Sequence, residues 1–189
     1  ETVRHTLLVG ILLVLAVLYL FLANLRAAVI VATVIPLGLC AAFIAMLNFG
    51  IPANLISLGA VDFGLIVDAA VIVIENVSRR IEQSPGAGAV KSIIAAVAEV
   101  QRPMIFSTAI IIVAYSPLFI LGGVEGKIFH PMGMTMGVAL LASIVLALTM
   151  VPAAASIAFG ANRPLHEPAY LHRLLVIYQS ILRWHLDHW

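Results

Sequence analysis

Long apolar runs with almost no charge constrain the fold of this chain more than any other feature. Of its 189 residues, 63% are hydrophobic and 10% are charged, and the mean hydropathy is +1.14. A helix of roughly 18–20 such residues crosses a hydrocarbon core of about 30 Å. A water-soluble domain could not bury this much apolar surface, so we predict an all-α membrane protein.

The apolar runs predict about five transmembrane helices and a surface helix. The predicted spans are residues 6–24, 27–47, 54–75, 103–121 and 131–159, which together form a transmembrane bundle over residues 1–160. Arg26 is the only charge between the first two spans, which predicts a tight helical hairpin, and the glycine-rich stretch GGVEGKIFHP is expected to be a loop before the last span. Residues 164–189 repeat apolar side chains at helical spacing, which is typical of an amphipathic helix on a membrane surface or a partner helix. Residues 86–103 predict a second, short amphipathic helix that begins after Pro85 and ends at Pro103.

The placement of lysine and arginine predicts the orientation. With five spans, eight of the ten basic residues fall on one side, against Arg4 and Lys127 on the other. The positive-inside rule then puts the N-terminus outside and the C-terminus in the cytoplasm. The net charge of +1 does not indicate nucleic acid as a partner. The eight basic residues are Arg26, Arg79, Arg80, Lys91, Arg102, Arg163, Arg173 and Arg183.

The start of the chain and its cysteine give further expectations. The chain begins at Glu1, and an apolar run follows without a basic segment or a cleavage site, so we expect it to be part of a longer protein. The single cysteine, Cys40, excludes a disulfide within the chain and a thiolate metal cluster. We expect Cys40 to be a small packing residue.

Three carboxylates interrupt the apolar stretch GAVDFGLIVDAAVIVIENVSRR, residues 59–80. An ionised acid in mid-membrane costs roughly 2.5–3.5 kcal/mol on the insertion scale, so these positions point to a function. On a helix, Asp68 and Glu75 are about 20° apart and share a face, whereas Asp62 is about 120° from Asp68 and about 9 Å away along the axis. Asp68 lies near the middle of the span, where a carboxyl group that takes up and releases a proton is a plausible carrier.

Structural interpretations of the same acids stay open. Asp68 could be a neutral acid that is hydrogen-bonded to a neighbouring helix, and Asp62 a wetted acid at the outer interface. Glu75 could pair with Arg79 at i+4 near the cytoplasmic side. No lysine or arginine occurs within the five spans, so a charge partner of Asp68 would come from outside this sequence.

Other motifs give weaker indications. Four of the six histidines lie in the tail, where a polar helix face explains them. Met132, Met134 and Met136 suggest soft metal ligands, but helical spacing puts Met134 on a different face, which favours packing. The stretch GGVEGKIF lacks the spacing of a phosphate loop. Two acids 120° apart on one helix cannot form an aspartyl protease site. We therefore expect neither an enzyme nor a cofactor.

The stretch DFGLIVDAAVIVIEN, residues 62–76, resembles the fourth-helix signature of resistance-nodulation-division (RND) exporters, in their heavy-metal efflux branch. The flanking stretches LFLANLRAAVIVATVIPLGL, RPMIFSTAIIIVAYSPLFILGGVEGKIFHPM and LTMVPA fit the same family in the same order. Drug exporters of this family carry two adjacent aspartates here, whereas Ala69 follows Asp68 in this chain. In this respect the chain resembles the divalent-cation pumps for zinc, cobalt, cadmium and nickel, because an acid at the position of Asp62 is typical of them rather than of the copper and silver pumps.

The resemblance implies a place and partners for the chain. The five spans would be the second to sixth of twelve helices, within the N-terminal half of a bacterial inner-membrane transporter. Such transporters are homotrimers that exchange protons for substrate and work with a periplasmic adaptor and an outer-membrane channel. The expected function is the proton-translocating part of a proton/heavy-metal cation antiporter, with Asp68, Asp62 and Glu75 as the relay. The alternatives are an exporter of drugs or other amphiphiles, and a structural or protein-translocation membrane component.

Overall fold

Five α-helices and one 3-10 turn make up the four continuous ranges that the structure describes. The computed structural model describes residues 2–22, 24–50, 63–83 and 88–159, together with positions 178, 182 and 184–186. No strand occurs in these ranges, in agreement with the predicted all-α class. The elements are α1 (Thr2–Leu22), α2 (Leu25–Asn48), α3 (Phe63–Gln83), α4 (Ala89–Ala114), the 3-10 turn Ser116–Phe119, and α5 (Gly123–Phe159).

Three of the described helices are long and apolar enough to cross a membrane. They are α2 with 24 residues, α4 with its 3-10 extension (Ala89–Phe119, 31 residues), and α5 with 37 residues. Helix α3 is not among them, and it carries two carboxylates and two arginines between Asp68 and Arg80. The count of five spans therefore stays a prediction. The predicted tail helix, residues 164–189, lies almost entirely outside the described residues.

Helices α1 and α2 form the tight hairpin that the sequence indicated. Asn24 caps α2, because its side-chain oxygen accepts hydrogen bonds from the backbone of Arg26 at 3.0 Å and of Ala27 at 3.4 Å. Arg26 in turn donates from Nη1 to the carbonyl of Ala158 at 3.4 Å. A cation there satisfies a carbonyl at the C-terminal end of α5, where the helix dipole is negative.

Two predicted helix boundaries at prolines are wrong. The amphipathic segment 86–103 does not end at Pro103, since α4 runs without interruption from Ala89 to Ala114. The last helix begins at Gly123 rather than at Pro131, so much of the expected glycine-rich loop is helical. A proline removes one backbone hydrogen bond, but in membrane proteins neighbouring helices compensate for this loss. Here α4 packs on α3 and α5, and α5 packs on α2, α3 and α4.

The core lies where α2, α3 and α5 meet. Ile35 of α2, Ile66 and Ile74 of α3 and Val151 of α5 are fully buried there. Gly38 of α2 permits a close approach, because a Cβ atom at this position would lie 3.1 Å from Cγ2 of Ile66. Small residues at such contacts are typical of helix pairs in membranes.

Helix α3 has one buried face and one open face. The buried face packs into the core, and the open face carries the charged side chains of Asp68, Glu75 and Arg79. This division places the acidic side chains on the side of α3 that faces away from α2. The buried face consists of Ile66, Val67, Ala70, Val73, Ile74 and Val77, and the open face includes Gly64, Asp68, Ile72, Glu75 and Arg79.

Candidate functional site

Asp68 opens onto a cavity between α3, α4 and α5. The cavity volume is about 240 Å³, and most of its wall is apolar. Four of the lining residues carry polar side chains: Asp68, Ser107, Thr108 and Ser143. The apolar part of the wall is formed by Leu65, Ala69, Ile72, Val100, Pro103, Met104, Ile111 and Leu140. A carboxyl group in a mostly apolar pocket with a few converging hydroxyls is a typical arrangement of a functional site.

Ser143 fixes α5 against α3 beside this cavity. Its side chain is 1% exposed, and its hydroxyl donates a hydrogen bond to the carbonyl of Ile66. Ile66 lies two residues before Asp68 in α3. The bond therefore ties the backbone next to the acid to the neighbouring helix, and it limits how far this part of α3 can move.

The structure brings two of the three predicted acids onto one face. Asp68 and Glu75 both lie on the open face of α3, as their seven-residue spacing predicted. Asp62 lies outside the described residues. The relay role of all three acids stays a prediction.

The alternative pairing of Glu75 with Arg79 is wrong. Arg79 donates from Nη2 to Oδ1 of Asn76 at 2.8 Å, and the same nitrogen lies 3.8 Å from Oε1 of Glu99. The reason is that α4 presents a carboxylate from across the helix interface. Glu75 is exposed and forms no ion pair with the residues that the structure describes.

We name Asn76, Arg79, Arg80 and Glu99 the Glu99 cluster. Asn76 is 6% exposed, and its Nδ2 donates to the carbonyl of Ala96 at 2.8 Å and to Oε2 of Glu99 at 3.2 Å. Arg80 adds an ion pair to Oε2 of Glu99 at 3.5 Å. The cluster fastens α4 to α3 between the Asp68 cavity and the α3–α4 connection.

Within this cluster, only Asn76 has a sequence context that indicates a hydrogen bond to another helix. Asn76 is a neutral polar residue on the apolar part of α3, and such residues hydrogen-bond across membrane helices. Glu99 lies in the amphipathic segment and carries no such signal, because a charge there is ordinary. Only the packing of α4 on α3 shows that the two side chains meet.

Replacing Asn76 by leucine, which has a similar volume, should destabilise the full-length protein by roughly 1–3 kcal/mol. The change removes two donated hydrogen bonds and leaves Glu99 without its buried partner. Arg80→Gln is the matched control and should cost less than about 1 kcal/mol, because it removes an exposed ion pair. Thermal unfolding of the two purified variants would compare them. Equal midpoints for both would contradict a clamping role of Asn76.

The described part of the chain holds no group of three or more His, Cys, Asp and Glu side chains that could bind a metal ion. The methionines that suggested soft ligands lie on different faces of α5, as the helical spacing predicted, since Met136 is buried and Met134 is 39% exposed. Three of the four tail histidines lie outside the described residues, and the fourth, His185, packs edge-on against Trp184.

Comparison with known proteins establishes the family. A family model described as the AcrB/AcrD/AcrF family matches residues 1–189, the whole of the chain. The chain belongs to this family. Within the AcrB/AcrD/AcrF family, the resemblance to the heavy-metal branch of RND exporters is confirmed by the relatives that the chain matches.

Two curated relatives and one solved structure illustrate the match. The cobalt-zinc-cadmium resistance protein CzcA of Cupriavidus metallidurans is 47% identical over 167 residues, which are 84% of this chain and 16% of CzcA. The nickel and cobalt resistance protein CnrA of the same organism is 44% identical over 161 residues, 81% of this chain and 15% of CnrA. A crystal structure of a heavy metal efflux pump matches with a TM-score of 0.72 and 46% identity, over 84% of this chain and 15% of that pump. The chain thus spans about a sixth of these relatives.

Proposed function

We propose that this chain is the proton-translocating transmembrane part of a proton/heavy-metal cation antiporter that exports divalent metal ions. The observation that carries the proposal is the position of Asp68, a carboxyl group on the open face of α3 that lines a mostly apolar cavity. The names of the two curated relatives, which include cobalt, zinc, cadmium and nickel, support a divalent cation as the substrate.

In this mechanism Asp68 takes up a proton from the periplasm and releases it toward the cytoplasm. Asp62 lies on the uptake side of the relay, and Glu75 lies on the release side, on the same face of α3 as Asp68. Each proton that falls through 100 mV releases about 2.3 kcal/mol, which is the free energy that drives export. Neutralising Asp68 removes the cost of holding a charge in the cavity, so its protonation can favour one packing of α3 and α4 over another.

The proposal also implies an assembly and a cellular location for the full-length protein. The working unit would be a homotrimer of the full-length transporter in the bacterial inner membrane, with a periplasmic adaptor and an outer-membrane channel as partners. The predicted orientation puts the start of α3 on the periplasmic side and the Glu99 cluster on the cytoplasmic side. Family membership and the apolar helices of the bundle support this setting.

The test of this proposal is metal resistance in a host that lacks its own exporters and carries the full-length gene. We expect protection against zinc, cobalt, cadmium and nickel and no protection against copper and silver. Asp62→Asn should remove the protection against the divalent metals, because it takes the acid from the uptake side. Protection against amphiphilic drugs alone would instead support a drug exporter. Protection against none of these compounds would argue against an exporter.

A further inference from the structure

Ser107 and Thr108 of α4 differ from four other hydroxyl residues of the bundle in their hydrogen bonding. Their side chains line the Asp68 cavity, where Ser107 is exposed and Thr108 is half-buried, and they form no hydrogen bond with any residue that the structure describes. Hydroxyls in membrane helices usually bind a carbonyl of their own helix. The residues that do so here, each at 2.6 or 2.7 Å, are Thr33, Thr135, Thr149 and Ser156.

The position of these two hydroxyls relative to Asp68 follows from the helix register. Helices α3 and α4 run antiparallel. The hydrogen bond from Asn76 to Ala96 shows that these two residues lie at the same height along the two helix axes, so we call them level. Asp68 lies eight residues before Asn76, and Met104 lies eight residues after Ala96, so the two are level. At a rise of 1.5 Å per residue, Ser107 and Thr108 lie roughly 4–6 Å from that level, toward the start of α3.

The cavity has room and polar partners for water. A cavity needs about 10–15 Å³ of water-accessible volume to hold one water molecule, which needs two to four polar partners when it is buried, and this cavity offers about 240 Å³. Thr108 is half-buried, and a hydroxyl that stays unpaired in apolar surroundings costs free energy. Bridging water molecules between Thr108 and the Asp68 carboxyl group would remove that cost, and the exposed hydroxyl of Ser107 is open to further water.

We propose that Ser107 and Thr108 position a short chain of water molecules that delivers protons to Asp68 from the end of the cavity nearer the start of α3. The inference rests on the proposed function of Asp68 as the proton carrier. A hydroxyl both accepts and donates hydrogen bonds. Each one takes a proton on its oxygen and passes its own proton to the next oxygen. The hydroxyl is therefore unchanged after a proton has passed, and the charge arrives at Asp68.

The test is proton uptake by the full-length transporter reconstituted in liposomes with a pH-sensitive dye inside. The double variant Ser107→Ala/Thr108→Val should take up protons roughly tenfold more slowly, a part of the 10²–10⁴-fold that positioned proton transfer contributes. The loss should be greater at mildly alkaline than at mildly acidic pH, because slow delivery matters most where protons are scarce. The double variant Ser107→Thr/Thr108→Ser, which keeps both hydroxyls, should retain the wild-type rate and pH profile.

Thr149→Val is the matched control, since Thr149 is exposed, donates to the carbonyl of Val145 and does not line the cavity. Its proton uptake should equal that of the wild type. A wild-type rate and pH profile in Ser107→Ala/Thr108→Val would overturn the inference and leave the proposed function intact. Wild-type uptake in Asp68→Asn, measured in the same preparation, would instead overturn the proposed function.

A labelling measurement tests the same inference without relying on the double variant. Thr108→Cys is placed in a full-length background whose other cysteines, including Cys40, are replaced. A small charged thiol reagent should modify this cysteine from water, while a cysteine at the buried position Ala147 should stay unmodified. Equal resistance of both cysteines to the reagent would show that water does not reach Thr108, and the inference would be wrong.

Discussion

Asp68→Asn should abolish proton uptake by the full-length transporter, with a loss of about 10²-fold or more. Asparagine has nearly the same shape as aspartate, so the cavity between α3, α4 and α5 keeps its form. An amide cannot bind and release a proton in the accessible pH range, which removes the step that couples proton movement to export. Metal resistance of cells that carry this variant should fall to that of the empty host. Proton uptake in liposomes and growth on zinc are the two measurements.

Two companion variants make the Asp68 result specific. Asp68→Glu keeps a titratable group in the same cavity and should retain part of the activity. Glu75→Gln should reduce proton uptake less than Asp68→Asn, because Glu75 lies seven residues further along the open face and is exposed. All variants must be present in the membrane at the wild-type level. Full zinc resistance in Asp68→Asn would exclude Asp68 as the proton carrier.

Gly38→Leu should destabilise the bundle by roughly 1–3 kcal/mol, the usual cost of overpacking a well-packed core. A Cβ atom at this position already approaches Cγ2 of Ile66 to 3.1 Å, and the rest of a leucine side chain would push the helices apart. Ile66 is fully buried, and its carbonyl accepts the hydrogen bond from Ser143. The displaced backbone lies two residues from Asp68, so proton uptake should fall together with the midpoint of thermal unfolding.

A graded series tests whether the contact with Ile66 is the cause. Gly38→Ala should cost much less than Gly38→Leu, because Ile66 needs to move by only a few tenths of an ångström. Adding Ile66→Ala to Gly38→Leu should recover part of the lost stability, since the obstructing methyl group is then gone. If the double variant is less stable than both single variants, the two residues do not oppose each other across this interface.

Sequence patterns predicted what depends on neighbours along one helix. The seven-residue spacing of Asp68 and Glu75 placed them on one face of α3, because a helix turns by about 100° per residue. The hairpin of α1 and α2 was also predicted, and Asn24 caps its second helix as its residue type favours. The signature in residues 62–76 indicated the family, and the match of the family model to the whole chain confirms it.

The predictions that failed are those that depend on contacts between helices. Pro103 was expected to end a helix, yet α4 continues through it, because packing on α3 and α5 offsets the lost hydrogen bond. Arg79 was expected to be within reach of Glu75, but Glu99 of α4 is its partner. A pattern of residues along one helix contains no information about which charge a second helix brings to it.

The amino-acid sequence was sufficient for the all-α class, the family and the acid on which the proposed function depends, since apolar length, helical spacing and a specific motif are local properties. The cavity of Asp68, its hydroxyl lining from α4 and α5, and the Glu99 cluster became visible only in the folded bundle. They require three helices at a fixed register and rotation. That register is set by side-chain packing across the interfaces, such as that of Gly38 on Ile66, and no single segment encodes it.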